Sequence, residues 1–85
     1  IASKVFHGLM IGKDNLKKGL TQSIKLKRLI LDYWADIKGF NVEYLEIVEF
    51  ESFNPIETID QKSVLCCAVF IGKARLIDNL IVFPN

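Results

Sequence analysis

The sequence predicts an α+β fold, a two-layer sandwich in which two N-terminal helices pack on a three-stranded antiparallel sheet. Residues 1–40 carry apolar side chains at helical spacing, and three strand-like apolar segments follow from Val42 onward. The last two segments are separated only by Gly72-Lys73, which is typical of a tight hairpin. At 85 residues the chain is expected to form a single domain, 1–85.

Both helices are expected in the N-terminal half. Residues 5–10 place apolar side chains at helical spacing, and Gly12 is expected to end this first helix. The Asp-Asn pair at 14–15 can then cap a long second helix that runs to Lys38, about 36 Å at 1.5 Å per residue. Gly39 follows as its C-terminal stop.

The second helix is predicted to be amphipathic, with one broad apolar arc facing the core. Two residues break this pattern, because Lys27 lies inside the apolar arc and Leu29 lies outside it. The apolar arc consists of Leu16, Leu20, Ile24, Leu26, Ile30, Leu31, Trp34 and Ile37.

The C-terminal half predicts three strands. Residues 42–50 form the first, and the polar segment 51–62, which contains Asn54-Pro55, is a loop. Residues 63–71 are apolar throughout, so this second strand is expected at the centre of the sheet, covered on both faces. The third strand covers 74–83.

The hairpin fixes the register of the last two strands. A type II′ turn with Gly72 at its first central position makes the residues on either side of the turn face each other. The pairs expected from this turn are Ile71 with Ala74, Phe70 with Arg75, Val69 with Leu76, Cys67 with Asp78 and Leu65 with Leu80.

Composition and charge exclude several classes of protein. The net charge is +1, so no global field steers the chain towards nucleic acid or acidic lipid, and no apolar run reaches the ~18 residues of a membrane span. Cys66 and Cys67 are adjacent and point to opposite strand faces, so they are expected to be reduced, buried and inert, as in the cytosol. The start at Ile1 rather than Met suggests a fragment.

The residues alone predict no catalytic, cofactor-binding or metal site. His7 is the only histidine, and Glu43, Glu46 and Glu49 do not share one strand face. Glu46 lies on an otherwise apolar face and needs a partner, for which Arg75 is the candidate. Nucleic-acid binding by a basic helix face is the alternative to a solvated surface; that face consists of Lys13, Lys17, Lys18, Lys25, Lys27 and Arg28.

Two segments carry a resemblance to a known family. VEYLEIVEFESFNP at 42–55 and SVLCCAVFIGKARLIDN at 63–79 resemble the C-terminal domain of the pantoate–β-alanine ligase family. The family's Tyr-x-Glu strand, its loop proline and its Arg-Leu-Ile-Asp-Asn string all occur in order. The residues matched to the family motif, and expected to be structural, are Tyr44, Glu46, Arg75, Asp78 and Asn79.

The resemblance implies a function for the whole enzyme. Members join pantoate to β-alanine with ATP and Mg²⁺ through a pantoyl-adenylate, in the cytoplasm. A larger Rossmann-like N-terminal domain holds the catalytic motifs and forms the homodimer, and the C-terminal domain is a lid over the active site. None of those catalytic motifs occurs in this sequence, so no catalytic, cofactor-binding or metal residue is assigned.

The fragment is therefore expected to be inactive alone, to bind no ATP or Mg²⁺ by itself, and to have the N-terminal catalytic domain as its partner. Nucleic acid and membrane are not expected partners. Arg75, Asp78 and Asn79 are expected to fix the hairpin and the domain junction, and contact with substrate is the less favoured alternative. The alternative is a free-standing α+β interaction or regulatory module that binds a partner through the apolar sheet face.

Overall fold

The computed structural model describes residues 2–84. Two helices precede three strands, and the strands form one antiparallel sheet in the order β1-β2-β3. Both helices pack against the sheet, which confirms the α+β sandwich. The elements are α1 Ala2–Lys17, α2 Ser23–Ala35, β1 Phe40–Glu49, β2 Ser63–Ile71 and β3 Ala74–Val82.

The hairpin between β2 and β3 has the predicted register. Ile71 pairs with Ala74 and Phe70 with Arg75, and the ladder continues in step to Ser63 and Val82. Gly72 has a φ of +61°, as the first central position of a type II′ turn requires. The prediction that β2 is the central strand is also confirmed. The prediction that it is covered on both faces is wrong for residues 2–84, because the helices and the buried core lie on one face of the sheet.

The predicted helix boundaries are wrong, because α1 continues through Gly12 to Lys17. Gly12 faces the core, where a Cβ would lie 2.8 Å from the Ile30 Cδ1 and 2.9 Å from the Leu65 Cδ1. This glycine therefore allows close packing between α1 and the rest of the core and does not end the helix.

Gly19 ends α1 instead. Its φ is +104°, its N–H donates to the Leu16 carbonyl at 3.0 Å, and the Leu20 N–H donates to the Asn15 carbonyl at 3.0 Å. These two bonds form a Schellman motif, which requires a left-handed residue. The predicted cap at 14–15 is also wrong, since the Asn15 side chain donates to the Ile11 carbonyl within α1 at 2.8 Å.

Helix α2 begins against the loop that follows β1. The Ser23 N–H donates to the Glu57 carbonyl at 2.9 Å, and the Ser23 hydroxyl donates to the Ile56 carbonyl. The Ile59 N–H donates to the Thr21 carbonyl at 2.7 Å. These bonds fasten the loop to the start of the helix, so the loop between β1 and β2 is ordered by α2.

A single core lies between the two layers. The helix side chains that reach it include Leu9, Leu26 and Trp34, and they belong to the same buried cluster as Leu65 and Val69 of β2. The radius of gyration is 12.2 Å, which agrees with the roughly 12 Å expected of a compact chain of this length. The 85 residues thus contain the contiguous core that a chain needs to fold by itself.

Candidate functional site on the open face of the sheet

The helices cover only one face of the sheet, and we call the other the open face. Strand alternation and the observed register place side chains from all three strands on it. Its central positions are buried by their neighbours, whereas Ile77 is 60% exposed and Ile81 is 42% exposed. The open-face residues are Asn41, Tyr44, Glu46, Val48, Val64, Cys66, Ala68, Phe70, Arg75, Ile77, Asn79 and Ile81.

An ion pair crosses this face from one edge strand to the other. Arg75 Nε donates to Glu43 Oε1 at 2.7 Å, and a terminal Arg75 nitrogen donates to Glu43 Oε2 at 3.2 Å. Glu43 lies at a β-bulge, because the register shifts between Val42 and Tyr44. The hydrogen bond from Arg75 lowers the pKa of Glu43, and the same bond raises the pKa of Arg75.

The predicted pair between Arg75 and Glu46 is therefore wrong. Glu46 pairs with Cys66, which pairs with Asn79, so Glu46 is level with a residue four positions from Arg75 along β3. At about 3.3 Å per residue this separates the two side chains by roughly 13 Å. The bulge, which the sequence does not reveal, brings Glu43 into reach.

Glu46 instead pairs with Lys27 of α2, at 3.5 Å between Nζ and Oε1. The sequence identifies both residues as misfits, since each is a charge on an apolar surface. The two charges are partners in the structure. Glu46 can reach Lys27 because β1 is an edge strand and the Glu46 side chain extends around that edge towards α2. The sequence contained this signal, but periodicity alone does not link the two positions.

An apolar hollow of about 470 Å³ lies at one end of the open face. Phe53 lies on its rim, is 63% exposed and adopts a φ of +60°. A left-handed conformation is strained for an aromatic residue. It is held by a 2.8 Å bond from the Phe53 N–H to the Glu49 carbonyl. The hollow is lined by Tyr44, Phe50, Phe53, Val64, Cys66, Ile77, Asp78, Asn79 and Ile81.

Both cysteines are free thiols. Cys67 is buried, as predicted, whereas the prediction that Cys66 is buried is wrong, because its side chain is only half-buried on the open face. Burial raises the pKa of Cys66, and the nearby Glu46 carboxylate raises it further. Burial raises the pKa of Cys67 to about 11. Both groups therefore stay protonated at neutral pH, in the form that is a poor nucleophile.

The five residues of the family motif do not form one cluster. Tyr44, Glu46, Arg75 and Asn79 share the open face. Strand alternation assigns Asp78 to the helix-facing side of β3, although it also borders the hollow at the strand edge. The Asp78 carboxylate accepts a hydrogen bond from the Asn79 N–H at 2.8 Å. That these five residues are structural stays a prediction.

Other candidate chemistry is limited within residues 2–84. Their His, Cys, Asp and Glu side chains nowhere gather in threes around a point that could hold a metal ion. Neither helix has the length and apolar character that crossing a membrane requires. On the basic helix face, Arg28 lies 3.8 Å from Asp32, so part of its charge is neutralised locally.

Comparison with known proteins identifies the family. A statistical model of pantoate–β-alanine ligase matches residues 2–81. The chain belongs to the pantoate–β-alanine ligase family. This confirms the resemblance carried by the β1 strand and by the Arg-Leu-Ile-Asp-Asn string at 75–79.

Several ligases of this family are similar to the chain. A pantothenate synthetase of Thermosipho melanesiensis is 37% identical over 84 residues, which is 95% of this chain and 29% of that protein. A pantoate–β-alanine ligase of Oryza sativa is 38% identical over 79 residues, which is 93% of this chain and 25% of that protein. A crystal structure of pantothenate synthetase from Thermus thermophilus superposes with a TM-score of 0.85 at 25% identity, covering 95% of this chain and 29% of that one.

The chain thus spans less than a third of the ligases it matches. The matched region is the C-terminal part of those relatives.

Proposed function

We propose that this chain is the C-terminal lid domain of a pantoate–β-alanine ligase, a cytoplasmic enzyme that condenses pantoate with β-alanine. ATP and Mg²⁺ drive the reaction through a pantoyl-adenylate. The catalytic groups and the homodimer contacts belong to a Rossmann-like N-terminal domain. The observation that carries this proposal is a family match over residues 2–81 of a chain that spans less than a third of the related ligases.

The chemistry explains why such an enzyme needs a lid. An acyl-adenylate is a mixed anhydride, which water hydrolyses unless the amine of β-alanine reaches it first. A domain that closes over the site excludes water and holds the reactants in place. This role requires a rigid body and a surface that meets the rest of the enzyme, and no nucleophile of its own.

The open face suits contact with protein better than contact with a triphosphate. Its arginine, Arg75, is already bound by both oxygens of Glu43, and its hollow is largely apolar. Folded monomers rarely leave large contiguous apolar surface in water. Phe53, Ile77 and Ile81 give the open face such a surface. In our proposal they pack against the N-terminal domain.

A chimera tests this proposal. The C-terminal part of the Thermosipho melanesiensis ligase is replaced by this chain, and pantothenate formation is measured with and without Ile77→Lys. We expect the unmodified chimera to turn over and the Ile77→Lys chimera to lose at least about tenfold in kcat/KM, because a charge enters an apolar contact.

Leu29→Lys is the matched control. Leu29 is 38% exposed on α2, away from the open face, so the same substitution should leave turnover unchanged. A folded but inactive unmodified chimera would contradict the ligase assignment and favour a free-standing interaction module. Equal activity of the two lysine variants would contradict only the open-face contact.

A further inference from the structure

The two edges of the sheet are protected differently. The loop after β1 covers the C-terminal end of that strand's outer edge, because the Glu49 N–H donates to the Asn54 carbonyl at 2.9 Å and the Ile56 N–H donates to the Ile47 carbonyl at 3.3 Å. On the opposite side, within residues 2–84, no backbone group outside the sheet hydrogen-bonds to the outer edge of β3. An uncovered strand edge is a template for pairing with another chain.

The hairpin geometry shows which groups this edge presents. Ile71 and Ala74 flank a two-residue turn and form a hydrogen-bonded pair, so alternate residues of β3 direct their backbone groups towards β2. The other residues, at 75, 77, 79 and 81, direct their N–H and C=O groups outward. Ile77 and Ile81, both exposed, lie beside these outward groups.

Asp78 occupies the midpoint of this edge. Its carboxylate accepts the outward N–H of Asn79 at 2.8 Å, which removes one of the donors that an added strand would need. It also places a charge where an added strand would have to exclude water.

Self-pairing would meet a second obstacle at the same residue. The antiparallel register that overlaps all of β3 with β3 of a second copy pairs Ala74 with Val82, and its midpoint is Asp78. In that register Asp78 faces its own counterpart at a non-hydrogen-bonded position, where Cα atoms lie about 4.5 Å apart. Two carboxylates directly opposite each other destabilise a strand pair.

We propose that Asp78 is an edge-blocking residue, which keeps β3 from pairing with β3 of a second copy and extending the sheet across two chains. Two effects act together: the carboxylate occupies the Asn79 N–H, and it repels its counterpart. The inference concerns the 85-residue chain itself and does not depend on its place in a ligase.

Sedimentation velocity over a range of protein concentrations tests the proposal with Asp78→Ala. We expect the wild-type chain to stay monomeric and Asp78→Ala to dimerise at least about tenfold more tightly. Asp78→Asn removes the charge but keeps an oxygen for the Asn79 N–H, so it should associate less than Asp78→Ala. Asp60→Ala, the same charge change in the exposed loop, should stay monomeric.

A second substitution locates the contact on β3. Ile77→Pro added to Asp78→Ala removes an outward N–H, which proline tolerates on an edge strand, and should restore the monomer. A folded Asp78→Ala chain that stays monomeric at every concentration would overturn the proposal. A dimer that Ile77→Pro leaves intact would also overturn it, because the contact would lie elsewhere.

Hydrogen exchange on the wild-type chain keeps the proposal testable even when Asp78→Ala fails to fold. After correction for intrinsic rates, the Asn79 amide should exchange at least about tenfold more slowly than the outward amides of Ile77 and Ile81. Equal rates for the three amides would overturn the proposal, because Asp78 would then not hold the Asn79 N–H.

Discussion

Substituting Gly8 by Ala tests the packing of α1 against Trp34 of α2. A Cβ on Gly8 would lie 2.4 Å from Trp34 Nε1 and 2.5 Å from Trp34 Cε2, well inside van der Waals contact. The indole cannot easily retreat, because its N–H donates to the Lys4 carbonyl one turn earlier at 2.9 Å. Gly8→Ala should therefore displace the largest side chain of the core.

Helix propensity and overpacking act in opposite directions on the free energy of unfolding, and their sizes differ enough to show that Gly8→Ala is destabilising. Alanine stabilises a helix interior by about 1 kcal/mol relative to glycine. Overpacking costs roughly 1–3 kcal/mol, and loss of the buried indole hydrogen bond costs about 1–3 kcal/mol more. We expect Gly8→Ala to lower the free energy of unfolding by about 3 kcal/mol, the centre of a range of roughly 1–5 kcal/mol. The corresponding fall in Tm is about 12–24 °C.

Urea unfolding followed by fluorescence measures this effect, because Trp34 is the only tryptophan and is 1% exposed. Gly12→Ala is the matched control, since its new Cβ would meet only the terminal methyl groups of Ile30 and Leu65. We expect that change to stay within about 1 kcal/mol of wild type, as propensity offsets crowding.

A Gly8→Ala chain as stable as wild type would refute the packing described for Trp34. The double variant with Trp34→Phe, followed by circular dichroism, gives an independent check. Its loss of stability should be smaller than the sum of the two single losses, because the smaller ring leaves room for the added methyl group.

Three further predictions concern the open face and the thiols. Arg75 lowers the pKa of Glu43 below its ordinary 4.5, so wild type should be more stable than Glu43→Gln above pH 4.5. In urea unfolding this difference in stability should disappear as the pH falls through the lowered pKa of Glu43 in the folded chain. Cys67, whose pKa is raised from 9.0 to about 11, should react with a thiol reagent only on unfolding, and fast labelling of the folded chain would contradict its burial. Above pH 9 the thiol ionises in the unfolded chain before it ionises in the folded chain, so the free energy of unfolding should fall as the pH rises. Phe53→Gly should be about 1 kcal/mol more stable than Phe53→Ala, because only glycine adopts a φ of +60° without strain; equal thermal stability of the two would show that the strain is absent.

The hairpin was predictable from the sequence to the residue. Two residues separate β2 from β3, and a two-residue turn leaves one register that keeps Leu65 and Val69 on the core side. Turn length and strand alternation, which are both local properties of the sequence, are enough to determine the register of β2 and β3. The central position of β2 followed similarly, because a strand apolar along its whole length needs neighbours on both sides.

The helix boundaries were not predictable in the same way. Gly12 and Gly19 lie seven positions apart in a helical pattern, and either could end a helix by its local chemistry. Which one does so is decided by the close packing of Ile30 and Leu65 on Gly12, which keeps α1 helical through that position. That contact is tertiary, so a pattern read along the chain cannot reveal it.

The partners in the two ion pairs could not be predicted either, because they also depend on tertiary geometry. The prediction that Glu46 needs a partner was sound, but the bulge at Glu43 changed which carboxylate Arg75 reaches. Lys27 then became the partner of Glu46 through the packing of α2 on β1. The family motif at 75–79, in contrast, was recognisable in the sequence because it needs no knowledge of geometry.

The central claim is that these 85 residues complete a ligase without supplying its bond-making groups. The most direct test measures pantothenate formation from ATP, Mg²⁺, pantoate and β-alanine by the isolated folded chain and by the chimera, side by side. The account predicts turnover by the chimera and none above background by the isolated chain. Pantothenate formed by the isolated chain would contradict it.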